Sequence, residues 1–488
     1  MVLPFFRPRT FGTLPCRALS AAAMLLTCLL CATQHATLSA DAAQTTAAVY
    51  APALPAAKNA TPLMLAASRN DCKQLRTLIA AGADSAARDE NGTTALMYAA
   101  RANAADCIRE LLSAGAELEA QDFDGCTALM VASLYDAALA AQALIAAGAA
   151  LETQSHFGTT ALMTAAYFDY TDMTQLLLRA GANVDAANSF SYTALMSAAE
   201  TNSAAAARVL LAHGAVPSHK NGDGKTALSV ALENGAAAVV QLLLQADFVA
   251  VSGGRFLMGR DGDDMETWPA HQVTLSDFCM AKTEVTQWLY RAVMEENPTH
   301  ESCTGDDFAV VDVSWLSAVA FCNRLSVRAG LTPCYAKNGT TEPALWEAYA
   351  GDEDVLCDFS ADGYRLPTEA EWEFAARGGI HQSPCLYSGS DEYESVAQQT
   401  VADIGTRAPN ALGIFGMTGI VEEWCWDWLT EYSADAAIDP TGPRYGGHPR
   451  TYRGNGTVYD RIRSSAIPDD AGLTGFRLVR SGKARIGD

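Results

Sequence analysis

The sequence predicts a multidomain chain: an all-α solenoid of six 33-residue units, followed by an α+β domain. Three observations predict it. First, Thr61-Pro-Leu-Met, Thr94-Ala-Leu-Met, Thr127-Ala-Leu-Met, Thr160-Ala-Leu-Met, Thr193-Ala-Leu-Met and Thr226-Ala-Leu-Ser recur at intervals that all equal 33 residues. A fixed period of this length marks stacked helical units, each too small to bury its own apolar face. Second, the period stops after Leu244, and glycine and aromatic residues then alternate with short apolar runs; all eight tryptophans lie between Trp268 and Trp428. Third, that second region carries two helix signatures set among loop-like and strand-like segments.

Bulk composition bounds the function. The 33 basic and 56 acidic residues give a net charge of -23, the wrong sign for a nucleic-acid partner. Thirteen cysteines are too few for a disulfide scaffold of this length. The one Cys-x-x-Cys spacing is Cys28 to Cys31, near the start, so no zinc site and no cofactor is expected.

Residues 1–40 read as a signal peptide: Arg7, Arg9 and Arg17 precede an apolar run from Ala18 to Thr33, and no acid appears before Asp41. The run is shorter than the roughly 20 residues that a spanning helix wants. Cleavage after Ala40 competes with a lipid anchor at Cys28, where Leu25-Leu26-Thr27 loosely resembles a lipobox. Either reading exports the mature protein to the periplasm, cell envelope or surface, where cysteines can pair. Residues 41–57, rich in Ala, Thr and Pro, read as a disordered spacer.

In each repeat of residues 58–247 a turn precedes two helices. Asp89-Glu90-Asn91-Gly92 is such a turn, with Gly92 able to take a positive φ. Thr94 caps the first helix, and the second, around Cys107 to Ala114, stops at Gly115. The block resembles ankyrin repeats throughout. It departs from them in placing Met64, Met97, Met130, Met163 and Met196 where histidine is usual, and Ser191 where a turn glycine is usual. The methionines are expected in the inter-repeat core and Ser191 is expected to loosen its hairpin. Stacks of this kind bind proteins through hairpin tips and the inner helices. The tips here carry Glu90, Asn91, Phe123, Asp124, His156, Phe157, Ser189 and Phe190. The three phenylalanines either fold back, each on its own turn or on its neighbour, or form a contact strip. His156 alone makes no metal site.

The second domain is placed at residues 248–482, with a tail at 483–488. Val251 to Gly259 reads as one glycine-bounded strand, and the short junction around Phe248 to Ser252 leaves the two domains little reach. Ser314 caps a helix from Trp315 to Val327 that buries Val319, Phe321, Cys322 and Leu325. Thr368 and Glu371 form a capping box for a second helix bearing Trp372, Ala375 and Ala376 on one face and ending at Gly378. Glu369, Glu371 and Glu373 alternate along that helix and so point apart, which makes no acid/base pair. Trp424, Trp426 and Trp428 alternate as in a strand and are expected in the core. Of seven cysteines, Cys322 reads as a buried side chain, and Cys303, Cys334, Cys357 and Cys385 are the best candidates for bridges among the six that remain with Cys279 and Cys425.

Phe256-Leu-Met-Gly259, Thr283-Glu-Val-Thr286, Val313-Ser-Trp315, Arg365-Leu-Pro-Thr-Glu-Ala-Glu-Trp-Glu373, Asp427-Trp428 and Gly475-Phe-Arg477 then occur in an order that resembles the formylglycine-generating enzyme, or sulfatase-modifying factor, family. The resemblance implies a variant of the C-type lectin fold. It also implies an oxygen-using activity that converts a sulfatase cysteine with copper held by two cysteines. Tyr459 and Ser464 stand at the matching positions, and no cysteine follows Cys425. A soft Cu(I) ion needs thiolates, so the activity is expected to be lost. The family's Gly-Asn-Val-Trp-Glu-Trp calcium segment appears as Gly419-Ile-Val-Glu-Glu-Trp424, without the asparagine amide. In non-enzymatic relatives the matching loop face binds macromolecules, which makes Tyr452, Asn455, Tyr459, Asp460, Arg461 and Arg463 a second candidate binding face. The expectation is an exported, non-catalytic interaction protein with a protein partner on the repeats. A sulfatase-activating oxidase and a surface protein binding host ligands are the alternatives.

Overall fold

The computed structural model describes residues 59–261, 269–346, 354–443, 449–461 and 473–482. The readings of the leader, the spacer and the tail lie outside the described residues. Six helix pairs follow the 33-residue period: α1 (Pro62–Ser68) and α2 (Cys72–Ala80), α3 (Ala95–Arg101) and α4 (Ala105–Ser113), α5 (Ala128–Leu134) and α6 (Ala138–Ala146), α7 (Ala161–Tyr167) and α8 (Thr171–Arg179), α9 (Ala194–Glu200) and α10 (Ala204–Ala212), and α11 (Ala227–Glu233) and α12 (Ala237–Gln245). Each first helix starts at a threonine whose hydroxyl accepts from the backbone N–H three residues on, as Thr94 does from Met97. The five methionines are buried, in keeping with the core reading. The helix expected from Cys107 begins two residues earlier, at Ala105, and Gly115 takes φ +86° just past its end. Ser191 adopts φ +57°, the left-handed conformation that glycine takes in the other turns, and its neighbour Phe190 O accepts from Gly222 N of the next repeat at 2.8 Å.

The chain divides into two compact units, and the division falls within the repeats. One comprises the described residues up to Ala165 with Gln175–Ser189; the other comprises Ala166–Thr174 and the chain from Phe190 onward. In the first, α1 packs on α3 and α3 on α5, and a Cys72–Cys107 disulfide ties α2 to α4 across a Cα–Cα distance of 5.2 Å.

In the second unit, α9 packs on α11. The strand β1 (Phe248–Val251) starts after only Ala246 and Asp247, so the expected junction is itself sheet. It pairs antiparallel with β4 (Phe278–Ala281), which also pairs with β11 (Val479–Ser481). The single strand expected from Val251 to Gly259 is two. The second, β2 (Gly254–Met258), belongs to another sheet with β3 (His271–Leu275) and β8 (Ala437–Ile438). The break falls at Gly253, where a Cβ would lie 2.2 Å from Leu275 O. A third sheet orders β10 (Thr474–Gly475), β7 (Glu422–Trp428) and β9 (Arg450–Arg453), and a hairpin pairs β5 (Tyr335–Lys337) with β6 (Val355–Cys357). The helices are α13 (Gln287–Met294), α14 (Trp315–Arg328), α15 (Glu369–Ala376) and the short α16 (Tyr393–Val396). Phe256, Met258, Val273, Phe278, Met280, Trp372, Phe374, Ile414 and Met417 form the main core. Trp424 and Trp428 are buried, as expected, and the Arg450 guanidinium lies 3.8 Å from the Trp315 ring and 3.6 Å from that of Trp428.

The expected bridges of this domain are not formed. Cys303, Cys322, Cys334, Cys357, Cys385 and Cys425 are in no disulfide among the described residues, and Cys279 Sγ faces Gly482 O at 3.6 Å. Cys357 stands opposite Tyr335 in the β5–β6 register, which puts Cys334 one residue out and on the other face. Burial holds the thiols of Cys322, Cys357 and Cys425 well above their usual range and pushes Cys334 up to about 11, which disfavours the reactive thiolate form.

Candidate functional site

The second domain is built around α15. Its capping box forms as the sequence predicts: Thr368 Oγ1 accepts from Glu371 N at 3.2 Å, and Glu371 accepts from Thr368 N at 2.8 Å. The helix is buried on every side, however, not on one face. That requires each of its three carboxylates to meet a guanidinium. Arg365 grips Glu371 bidentately at 2.7 and 2.6 Å. Arg461 grips Glu369 at 2.5 and 2.8 Å. Arg453 bonds both Glu369 and Glu373 at 3.1 Å, and Arg377 takes the other Glu373 oxygen at 3.1 Å. On the neighbouring strand, Arg477 grips Glu423 at 2.5 and 2.6 Å, with Trp372 Nε1 donating to the same carboxylate at 2.9 Å. Burial alone would raise the Glu369 carboxyl, but Arg461 and Arg453 overcome it and hold it below the usual range.

This network decides where the second candidate face lies. Tyr452 is buried, edge-on to the Trp424 ring at 5.3 Å, and Arg461 is buried on Glu369, so neither belongs to a binding surface. Both looked like loop residues because they are polar; the fold has paired them inward. Asn455 is exposed, Tyr459 and Asp460 are half-buried, and Arg463 lies outside the described residues. Asp460 accepts from Thr457 N at 2.7 Å and so shapes its own turn.

The family's metals do not fit this chain. At the first copper position the Tyr459 ring lies between the guanidiniums of Arg377, 5.1 Å away, and Arg260, 5.5 Å away. A phenol between two cations offers nothing to a soft cation. At the calcium segment both Glu423 oxygens are taken by Arg477, so the remaining carboxylate is already neutralised.

A polar cluster that the sequence reading did not single out lies beside Arg477. Glu284 and Gln398 are buried, and none of their four side-chain polar atoms has a hydrogen-bond partner among the described residues. Arg477 Nη2 is 3.9 Å from Glu284 Oε1, beyond hydrogen-bond reach. Burial pushes the Glu284 carboxyl up to about 8, against the pull of Arg477 and with a further push from Glu423. A raised carboxyl favours the folded state below the ordinary value of 4.5, and that contribution is lost as pH rises through about 8. Urea titrations across this window are therefore expected to show stability falling with pH. Glu284→Gln should flatten the fall and be the more stable form at pH 8 and above; an unchanged slope would contradict the assignment.

In the first unit, the hairpin tips are held by one another. Phe123 N donates to Asn91 O at 3.0 Å and His156 N to Asp124 O at 2.8 Å. The Phe123 ring leans over Gly92, where a Cβ would meet it at 2.8 Å, yet the side chain stays 67% exposed. Packing on the neighbouring turn and facing solvent thus coexist at Phe123. Phe157 is 37% exposed, and Glu90, Asn91, Asp124 and His156 are exposed. In the second unit Ser189's neighbour Phe190 is 51% exposed, and Ser189 itself, which closes the first unit, is exposed.

Comparison with known proteins gives two matches along the chain. Residues 237–482 match a sulfatase-modifying factor enzyme 1-like domain, and ankyrin repeats match overlapping windows from 26 to 252. The chain is 34% identical over 207 residues to the chaperone protein LppX of Paenibacillus barcinonensis, covering 37% of this chain and 71% of that one. It is 33% identical over 146 residues to the formylglycine-generating enzyme of Streptomyces coelicolor, covering 24% of this chain and 46% of the enzyme, so it spans about half of that relative. Among solved structures, Treponema denticola variable protein 1 is 30% identical and is covered over 94% of its length, with 48% of this chain and a TM-score of 0.42.

Proposed function

The chain belongs to the sulfatase-modifying factor enzyme 1-like family and carries ankyrin repeats, and on that footing we propose that it is a non-catalytic interaction protein of the bacterial envelope. Ankyrin repeats generally mediate protein–protein contacts. The observation that carries the reading is the row of solvent-facing aromatic residues, Phe123 and Phe157, on tips made rigid by inter-repeat hydrogen bonds. Rigid exposed aromatics lose little entropy on docking and bury much area. The family's enzyme reading has relatives in its favour, but it needs two thiolates where this chain has Tyr459 and Ser464. Export is supported by the Arg-led apolar leader and by the Cys72–Cys107 bridge, since such bonds persist in oxidising compartments.

The test is capture from envelope extract with the full chain, wild type against Phe123→Ser/Phe157→Ser. Each truncation should cost about 1–2 kcal/mol of binding, so a partner held by wild type is lost from the double variant. Equal capture by both would remove the tips from the function.

A further inference from the structure

The same tips carry information about what docks on them. The three inter-repeat loops of the first unit, 82–93, 115–126 and 148–159, hold eight carboxylates and one guanidinium, Arg88. Arg88 is committed: its Nη1 donates to Gln121 O and to Gly92 O. Glu90 and Asp124 are exposed on the tips, Asp124 next to Phe123 in sequence, and Glu119 and Glu152 are exposed in the second and third of these loops. Glu119 also accepts from Ala150 N at 2.9 Å, which fixes its carboxylate toward the next loop. Apolar anchors thus stand in a field of a single sign.

Phe123 and Phe157 within this acidic rim lead us to propose that the occupant is a cationic segment of a partner protein, extended and bearing apolar side chains between its lysines or arginines. Its apolar groups cover the two rings, and its cations meet the carboxylates at the rim. The inference rests on the tip-docking reading above and adds the chemistry of the partner. Rim charges act mainly on encounter rate and salt dependence, while the rings set the residence time.

The experiment titrates the full chain with three labelled synthetic peptides of one length: alternating Lys and Leu, alternating Glu and Leu, and alternating Lys and Ser. The Lys/Leu peptide is expected to bind at least tenfold more tightly than the other two, with affinity falling as salt rises. Phe123→Ser/Phe157→Ser should weaken it about tenfold or more. Glu90→Gln/Asp124→Asn should weaken it severalfold and flatten the salt dependence. Glu392→Gln/Glu394→Gln, which removes two charges from exposed positions of the second domain, should change nothing. Equal binding of the Lys/Ser peptide, or an equal loss in the Glu392/Glu394 variant, would reduce the effect to general attraction by net charge and overturn the proposal. Equal binding of the Glu/Leu peptide would overturn the charge class. If no peptide binds while the tip variant still loses capture from envelope extract, this proposal fails and the docking reading stands.

Discussion

Cys72→Ala/Cys107→Ala, or reduction of the native bridge, is expected to lower the stability of the first two repeats by about 3–4 kcal/mol. The two cysteines are 35 residues apart, and closing a loop of that length removes roughly that much chain entropy from the unfolded state. The bridge also sits where the array needs help. The second helices α4 and α12 bury three and four side chains each, whereas α2, in the first of the described pairs, buries Leu75 alone. A terminal repeat has one neighbour and frays first. Thermal melting with and without reductant, together with hydrogen exchange of residues 61–80, checks this. Early exchange of α1 and α2 on reduction is the expected result, and an unchanged melting curve would contradict it.

Arg477→Met is expected to cost 3–5 kcal/mol or to prevent the second domain from folding, the range typical of breaking a buried ion pair from one side. Arg477 has no exposed side-chain surface. Besides Glu423 it donates to the carbonyls of Ala281 at 3.1 Å and Phe415 at 2.9 Å, joining β4 to the loop before β7. Its removal strands the buried carboxylate of Glu423. The double variant Arg477→Met/Glu423→Gln should recover part of the loss, because it removes one stranded charge. Urea midpoints of the two variants measure this, and equal midpoints would show that Glu423 is not the group left unpaired.

Local signals in the sequence carried much of the fold. The threonine caps of the repeats and the Thr368–Glu371 box depend on residues within one turn of each other, and the 33-residue period on a segment that recurs along the chain, so residue types alone announce them. The break at Gly253 was not legible, because its cause is the carbonyl of Leu275 on another strand. The partners of the α15 carboxylates were hidden for the same reason: Arg453 lies 80 residues from Glu373 and Arg461 lies 92 from Glu369. Polar residues in and after β9 therefore read as surface, although Tyr452 and Arg461 are buried. The cysteines misled in a similar way. Loop-like sequence drew attention to the second domain, while the pair that bonds is separated by one repeat period plus two residues and so falls on adjacent helices.

The aromatic tips were legible as exposed turn residues, and the structure adds that they are rigid. The proposed loss of family chemistry rests on Tyr459 and its flanking arginines, and it is tested directly by incubating the full chain with a sulfatase-derived cysteine peptide, Cu(I) and oxygen, then reading the peptide mass. A family enzyme run in parallel serves as the positive control. A peptide that keeps its sulfur alongside a converted control is the predicted result. A product that has lost sulfur and gained an aldehyde would contradict the account.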